Sequence, residues 1–354
     1  GVHDASTAEL AVGLALASRR GFPEFIRDQV AGTWNHRRFT SLSDSKIGVI
    51  GFGSIGKQVV KNLSGFEVSV TSFSKSGRDG SIKIDDLDKH LRLKEGEFYA
   101  SLAHSHIGKT TVNLWLIFLS AIHYNWNWML YMGENQSASI KMKIMEFFIG
   151  KKIQQMSDQE HNVSLRFVDE HFFILSTDNM YTYGEILEHS KMLMQYKSLK
   201  GVFIDPYNSL KMELTAAKNK YIYDYEAYSE MLNFTKKYNT TIFLSVHTTT
   251  ASQRDRDSSG NQKMPHASDT EGGAALYNRA DNFVTLHRKI KSADEWMFTE
   301  VSIDKVRNRE TGGMPTTQGT PIMLRMNNGL EFVDIHGQLP FNRELLLLKH
   351  KCRF

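Results

Sequence analysis

The run Ala103-His104-Ser105-His106-Ile107-Gly108-Lys109-Thr110-Thr111 has the spacing of a loop that wraps phosphate. In such a loop, backbone N–H groups and the N-terminus of the next helix cradle phosphate oxygens. Lys109 would reach the β and γ phosphates of a nucleotide such as ATP, and Thr110 would ligand Mg²⁺. Alanine stands at 103 where the pattern has glycine, and glycine there allows a backbone angle that alanine resists. Gly201-Val202-Phe203-Ile204-Asp205 is an apolar strand ending in a carboxylate, the form in which Asp205 would organise Mg²⁺ and its waters. Glu134, just after the apolar run Trp128 to Tyr131, is where a general base for an attacking water would sit. Each feature has a plain alternative: a chance Gly-Lys-Thr-Thr at a helix start, an ordinary strand end, a surface glutamate.

Gly51-Phe52-Gly53-Ser54-Ile55-Gly56 is a second, separate phosphate pattern. Gly51 permits a tight turn, Gly53 lets the backbone approach a pyrophosphate, and Gly56 lets the helix pack on the strand, with Ser54 and Ile55 between them. The ligand so implied is NAD(P). Ser72, Phe73, Ser74 and Lys75, with Arg78 nearby, stand where an acidic residue would accept ribose hydroxyls, so a 2′-phosphate is tolerated better than usual.

These residues need elements to hold them. Residues 6–20 read as a helix, with Ser6 or Thr7 as cap and Arg19 and Arg20 at the C-terminal end of the dipole. Lys46 to Ile50 predicts a buried strand, followed by a helix through about Leu63 and a strand from Glu67 to Phe73. After residues 91–96 a second series begins: strand Phe98 to Leu102, helix to about Ala121, strand Trp128 to Tyr131, helix Ala138 to Gly150 and strand Phe172 to Leu175. Helix Tyr183 to Tyr196, strand Gly201 to Ile204, helix Tyr225 to Tyr238 and strand Thr241 to Val246 complete it. Strands alternating with helices predict an α/β fold with a mainly parallel sheet. Residues 247–273 are polar and turn-rich without periodicity, which marks a functional or mobile loop. The tail, Asn342 to Phe354, is basic with four leucines in a row, and reads as a docking helix or as a stretch foreign to what precedes it.

Composition narrows the classes. The 354 residues, 41% apolar and 23% charged, are enough for about two domains and exclude a disulfide miniprotein or a collagen-like chain. The net charge of +4 does not by itself nominate a nucleic-acid partner. Cys352 is alone in the sequence, which suits a reducing compartment, and the cytoplasm is the expectation. The longest apolar run, Leu114 to Ile122, is too short to span a membrane. His3, His36, His161, His171 and His189 show no ligand spacing, so no zinc site is expected.

Residues 1–91, through LSDSKIGVIGFGSIGKQVVKNL and the helix bearing Ser6-Thr7-Ala8-Glu9, resemble the NAD-binding domain of D-2-hydroxyacid dehydrogenases. That family's catalytic arginine, glutamate and histidine have no recognisable counterpart here. From about Gly96 to Phe341, the ordered motifs AHSHIGKTT, MLYMGENQSAS, GVFIDPYNSL, IFLSVHTTT, EGGAALYNRADNFVTLHR and DKVRNRETGG resemble the RecA-like motor of DnaB-type replicative helicases. This resemblance implies that His247 senses the γ-phosphate and that Lys305 and Arg307 are a basic pair inserted into the neighbouring subunit's ATP site, an arginine there stabilising transition-state charge. A solvated basic strand edge is the alternative for that pair. It further implies a hexameric ring on single-stranded DNA, the loop between His247 and Gly273 lining the channel. Arg254, Arg256 and Lys263 would meet phosphates there, although Asp255, Asp257, Asp269 and Glu271 cancel their charge and no aromatic offers a stacking platform.

The expected architecture is thus a partial Rossmann βαβ segment over 1–91, a RecA-like P-loop domain over 92–341, and the tail 342–354. The chain reads as chimeric, joined near Leu91 to Lys94. Half a sheet leaves open edges and apolar faces, so a natural fusion would keep each domain whole, and the join reads as an artefact of assembly. The function expected is Mg²⁺-dependent ATP hydrolysis driving movement on DNA. The alternatives are an NAD(P)-dependent oxidoreductase fragment and a non-catalytic nucleotide-binding protein.

Overall fold

The structure is a computed structural model that describes residues 4–74, 82–83, 89–214, 219–258, 260–271, 274–292, 294–335 and 337–351. His3, Lys75, Arg78, Gly272, Gly273 and Cys352, all named above, lie outside the described residues. The chain forms two compact units, Gly1–Asp86 and Leu87–Phe354.

In the first unit β1 (Lys46–Ile50), β2 (Ser69–Ser74) and β3 (Ile82–Lys83) make a parallel sheet in that order, with the helix Ser54–Leu63 crossing between β1 and β2. Helix Asp4–Arg19 matches the predicted one. A second helix, Phe22–Val30, lies between the predicted helix and β1; Pro23 sits in its first turn, where a missing N–H costs nothing, and none of its residues is buried. The core is small: Val12, Leu42 and Leu63 are buried, with Ala15, Leu16, Ile47, Val59, Val68 and Val70 partly buried against them. Ile50, Val30 and Trp34 are 82%, 85% and 95% exposed.

The second unit is built on β4 (Phe98–Ala103), β5 (Asn127–Met132), β6 (Phe172–Ile174), β7 (Leu199–Asp205), β8 (Thr241–His247), β9 (Asn282–His287), β10 (Phe298–Val306), β11 (Ile322–Asn327) and β12 (Glu331–Val333). Their order in the sheet is β12-β11-β10-β9-β4-β8-β7-β5-β6. Neighbours from β9 to β6 run parallel, whereas β9 to β12 pair antiparallel. The parallel strands are buried on both faces, which is why they read as unbroken apolar runs. Successive side chains divide between two cores. Tyr99, Trp128, Leu130 and Phe203 enter one with Trp115, Phe118 and Phe147 of helices Lys109–Tyr124 and Ser137–Ile149. Phe98, Ala100, Met129 and Val202 enter the other with Ile186 of helix Tyr183–Met194 and Tyr228 and Met231 of helix Lys220–Tyr238.

Helix Asp158–His171 and strands β9 to β12 extend beyond the predicted elements. The helix opens with a capping box of Ser157 and Glu160. The tail folds as helix Arg343–Lys351, with Leu346 buried and Arg343 donating to the Phe147 carbonyl at 3.1 Å and pairing with Glu331. The described residues of 247–271 form a long loop, as expected, with local order of its own. Thr248 bridges Thr270, Arg256 bridges Gln262, and Thr249 caps the short helix Thr250–Arg254, so local hydrogen bonding replaces the missing apolar pattern. Leu91 is buried in the second unit's core, and the ring Nδ1 of His90 lies 2.8 Å from the Met314 carbonyl.

Candidate functional site

Ala103 ends β4 in an extended ladder, opposite His247 on β8 and Leu286 on β9. The backbone angle that alanine was expected to resist is not needed there. Left-handed backbone falls instead on His106 (φ 64°) and on Gly108 (φ 88°), the N-cap of helix Lys109–Tyr124. No side chain caps that helix, so its first N–H groups are available to an anion.

The adjacent strands β4, β8, β7 and β5 are parallel, so their C-terminal ends gather Lys109, His247, Asp205 and Glu134 on one rim. Thr110 Oγ1 donates to Asp205 Oδ2 at 2.6 Å. Asp205 Oδ1 is buried without a partner. A hydroxyl beside a buried carboxylate with an unused oxygen is an oxygen donor set that fits Mg²⁺. Lys109 is buried, and its Nζ donates to the Val246 carbonyl at 2.9 Å and lies 3.5 Å from His247 Nδ1. Burial pushes the ammonium down to about 8, against the attraction of Asp205, Glu134 and Glu271. Thr111 follows in the first helical turn.

Burial, followed by the charge of Lys109, pushes His247 down to about 4, so its ring is neutral at pH 7. Its Nε2 lies 3.9 Å from Glu134 Oε1, which is therefore a polar approach rather than an ion pair. Glu134 is 60% exposed and open to water. Arg288, the last residue of the EGGAALYNRADNFVTLHR stretch, was not singled out by sequence. Its Nη1 lies 3.5 Å from where a Cβ on Gly108 would be, its Nε donates to the Trp296 carbonyl, and its guanidinium sits 5.7 Å from the Trp296 ring. An arginine directly after a buried strand was the available signal.

Lys305 and Arg307 are elsewhere. Val306 pairs with Asn282 at the start of β9, which in turn pairs with Tyr99 near the start of β4, whereas the phosphate loop follows the end of β4. Lys305 Nζ donates to the Tyr277 carbonyl at 2.6 Å, and Arg307 pairs with Asp281 at 2.6 Å. From Tyr99 to Ala103 the strand advances about 13 Å, so the pair does not join the phosphate loop of its own chain. In the excursion of chain that leaves β8 after His247, Lys263 pairs with Asp255 at 3.0 Å, and Arg256 Nη1 donates to the Gln253 and Asp255 carbonyls. Arg254 is exposed.

In the first unit, Gly51 has φ 96° and Gly53 is the N-cap of helix Ser54–Leu63, with open space around both. A Cβ on Gly56 would lie 2.1 Å from the Gly51 carbonyl oxygen. Ser54 and Ile55 begin the helix. This is the geometry expected of a dinucleotide turn.

The family model described as D-isomer specific 2-hydroxyacid dehydrogenase, NAD binding domain, matches residues 12–101. The match runs past Asp86 into β4, a strand inside the second sheet. The Twinkle homolog protein, chloroplastic/mitochondrial, of Arabidopsis thaliana is 22% identical over 199 residues, 53% of this chain and 27% of that protein. D-3-phosphoglycerate dehydrogenase of Methanocaldococcus jannaschii is 37% identical over 70 residues, 19% of this chain and 13% of that protein. The chain therefore spans less than a third of either relative. Among solved structures, one described as an ATPase domain aligns with a TM-score of 0.56 at 15% identity, covering 69% of this chain and 86% of that one. A DnaB-like replicative helicase, described with its interactions with primase, aligns at 0.56 and 16% identity, covering 68% and 59%. Among the described residues no helix is long and apolar enough to cross a membrane. The chain is an α/β protein in which a Rossmann-like segment, similar to the NAD-binding domain of 2-hydroxyacid dehydrogenases, precedes a domain with the RecA-like fold of DnaB-like helicase ATPase domains.

Proposed function

We propose that the chain hydrolyses ATP with Mg²⁺ and couples hydrolysis to movement along single-stranded DNA, as a ring of subunits in the cytoplasm. The observation that carries this reading is the rim formed by β4, β8, β7 and β5, where Lys109, Thr110, Asp205, Glu134 and His247 converge beside an uncapped helix N-terminus. Thr110 and Asp205 would hold Mg²⁺, which when bound offsets charge on the phosphate oxygens. Lys109 exchanges the Val246 carbonyl for the β and γ phosphates. Glu134 takes a proton from the attacking water, and neutral His247 contacts the γ-phosphate without adding charge. Arg307 leaves Asp281 to enter the site of the next subunit.

The test is the rate of phosphate release with and without single-stranded DNA, for the native chain and Lys109→Ala. DNA-stimulated hydrolysis lost in the variant supports the reading. Hydrolysis undiminished by Lys109→Ala moves the active site elsewhere. Dinucleotide binding by Gly51, Gly53 and Gly56 is a second reading, carried by the close approach of Gly56 to the Gly51 carbonyl. It extends to NAD(P) binding only; no hydroxyacid turnover is expected, because the catalytic groups that chemistry needs are not recognisable after the turn.

A further inference from the structure

Glu134 is carried by the turn that closes β5, and three neighbours hold that turn in place. The Gly133 N–H donates to the Asp205 carbonyl at 3.0 Å, which pins the turn to the last residue of β7, whose carboxylate accepts from Thr110. The Asn135 N–H donates back to the Met132 carbonyl at 2.9 Å, and the Asn135 carbonyl accepts from Thr177 Oγ1 at 3.3 Å. Ser209 fills the remaining side. It ends the single helical turn Tyr207–Ser209 that follows Asp205 and Pro206. A Cβ on Gly133 would lie 2.3 Å from Ser209 Oγ, 2.6 Å from Ser209 Cβ and 3.1 Å from the Tyr131 hydroxyl.

Gly133 has no left-handed φ, so its backbone suits any residue and it is the lack of space that requires glycine. Ser209 is not free to retreat. Its N–H and its Oγ donate to the Pro206 carbonyl at 3.1 Å and 2.7 Å, and its own carbonyl accepts from the Tyr131 hydroxyl at 3.3 Å. A hydroxyl can rotate away from an added methyl, but Ser209 Cβ is fixed by that anchored backbone. Ordinary contact begins at 3.4 Å. An alanine at 133 therefore displaces the turn by about 1 Å, and a misplacement of that size at a reacting group costs on the order of 100-fold in rate.

We propose that Gly133 and Ser209 are positioning residues for hydrolysis: their contact docks the turn bearing Glu134 against the turn that follows Asp205, so that the base and the metal-binding carboxylate keep one spacing. The inference rests on Glu134 being the general base, as in the reading under Proposed function.

The experiment compares single-turnover ATP hydrolysis with binding of a non-hydrolysable ATP analogue, both with Mg²⁺ and on the full chain. Gly133→Ala should lower the hydrolysis rate by about 100-fold while analogue affinity stays within about 3-fold, because Lys109 and Thr110 lie on a different element. Combining it with Ser209→Gly removes both atoms that the new methyl meets most closely, and the double variant should return to within about 10-fold of wild type. A general loosening of the fold would weaken both readouts together. A Gly133→Ala rate within about 10-fold of wild type overturns the inference, and so does a double variant as slow as Gly133→Ala. Loss of analogue binding along with hydrolysis in Gly133→Ala also overturns it, by making the contact structural. Undiminished hydrolysis in Glu134→Gln overturns the base assignment and the inference with it, whereas an inactive Glu134→Gln beside a fully active Gly133→Ala overturns the inference alone.

Discussion

Lys109 and Glu134 sit at opposite ends of the proposed chemistry, and their surroundings explain why they should fail differently. Lys109 is held out of water against a carbonyl, ready to exchange it for phosphate. Lys109→Ala should weaken nucleotide binding and lower turnover by about two orders of magnitude or more, because no water positions equivalent charge. Glu134 is exposed and lies 3.9 Å from the ring of neutral His247, so Glu134→Gln should retain nucleotide while losing hydrolysis in a single-turnover assay. Loss of binding instead would make Glu134 structural. His287 gives a separate, pH-dependent expectation. Burial, with Lys289 adding repulsion, pushes its pKa down to about 4 from the usual 6.5. The unfolded chain takes up that proton first as pH falls, so the stability it supports is full above pH 6.5 and drains away toward pH 4. The loss from this group between pH 7 and pH 5 should be on the order of 2 kcal/mol, and denaturant melts of His287→Gln should show a shallower pH dependence.

At the scale of elements, the two phosphate turns differ in what glycine does. In the first unit Gly56 is held against a carbonyl 2.1 Å from any added Cβ, so the turn and the helix are locked together by the absence of a side chain. Gly56→Val should prise the helix Ser54–Leu63 from β1, costing roughly 1–3 kcal/mol in a unit with a small core, and should abolish any NADH fluorescence change. Retained NADH binding in a folded Gly56→Val protein would remove the dinucleotide reading of that turn. In the second unit the corresponding constraint is on Gly108, whose left-handed φ starts the helix that carries Lys109 and Thr110. The excursion after β8 shows why composition misleads: its basic residues are largely spent on internal partners, Lys263 on Asp255 and Arg256 on backbone carbonyls.

The whole-molecule question is how Arg307 takes part, since the fold keeps it at the far end of β4 from its own phosphate loop. If each site takes Lys109 from one subunit and Arg307 from the next, two inactive variants complement each other. Mixing and re-annealing Arg307→Ala with Lys109→Ala should restore measurable ATPase activity that rises with protein concentration. An assembled mixture as inactive as its parents would mean that Arg307 acts within its own subunit or not at all. The placement of the join belongs to this scale too. Leu91 is buried in the core of the second unit, and Lys94 reaches Glu97 and Thr311 there, so residues from His90 onward are part of that unit's packing.

The local elements that carry the chemistry were legible in sequence because they are local: a glycine-bounded turn between strand and helix, an apolar run ending in Asp205, and alternating strand and helix periods that require a parallel sheet. Helix Asp158–His171 was missed although its capping box, Ser157 and Glu160, is written in the sequence. The antiparallel strands were missed because the reading followed the unbroken apolar runs of doubly buried strands, whereas β10 alternates buried and half-buried residues. What no stretch of sequence could decide is distance between elements. That β4, β8, β7 and β5 lie side by side, that Asp205 keeps an unpaired buried oxygen beside Thr110, and that His104 faces Lys263 across 159 residues are consequences of strand order. Strand order is set by the joint burial of both sheet faces, a property of the assembled core that periodicity within any one segment does not encode.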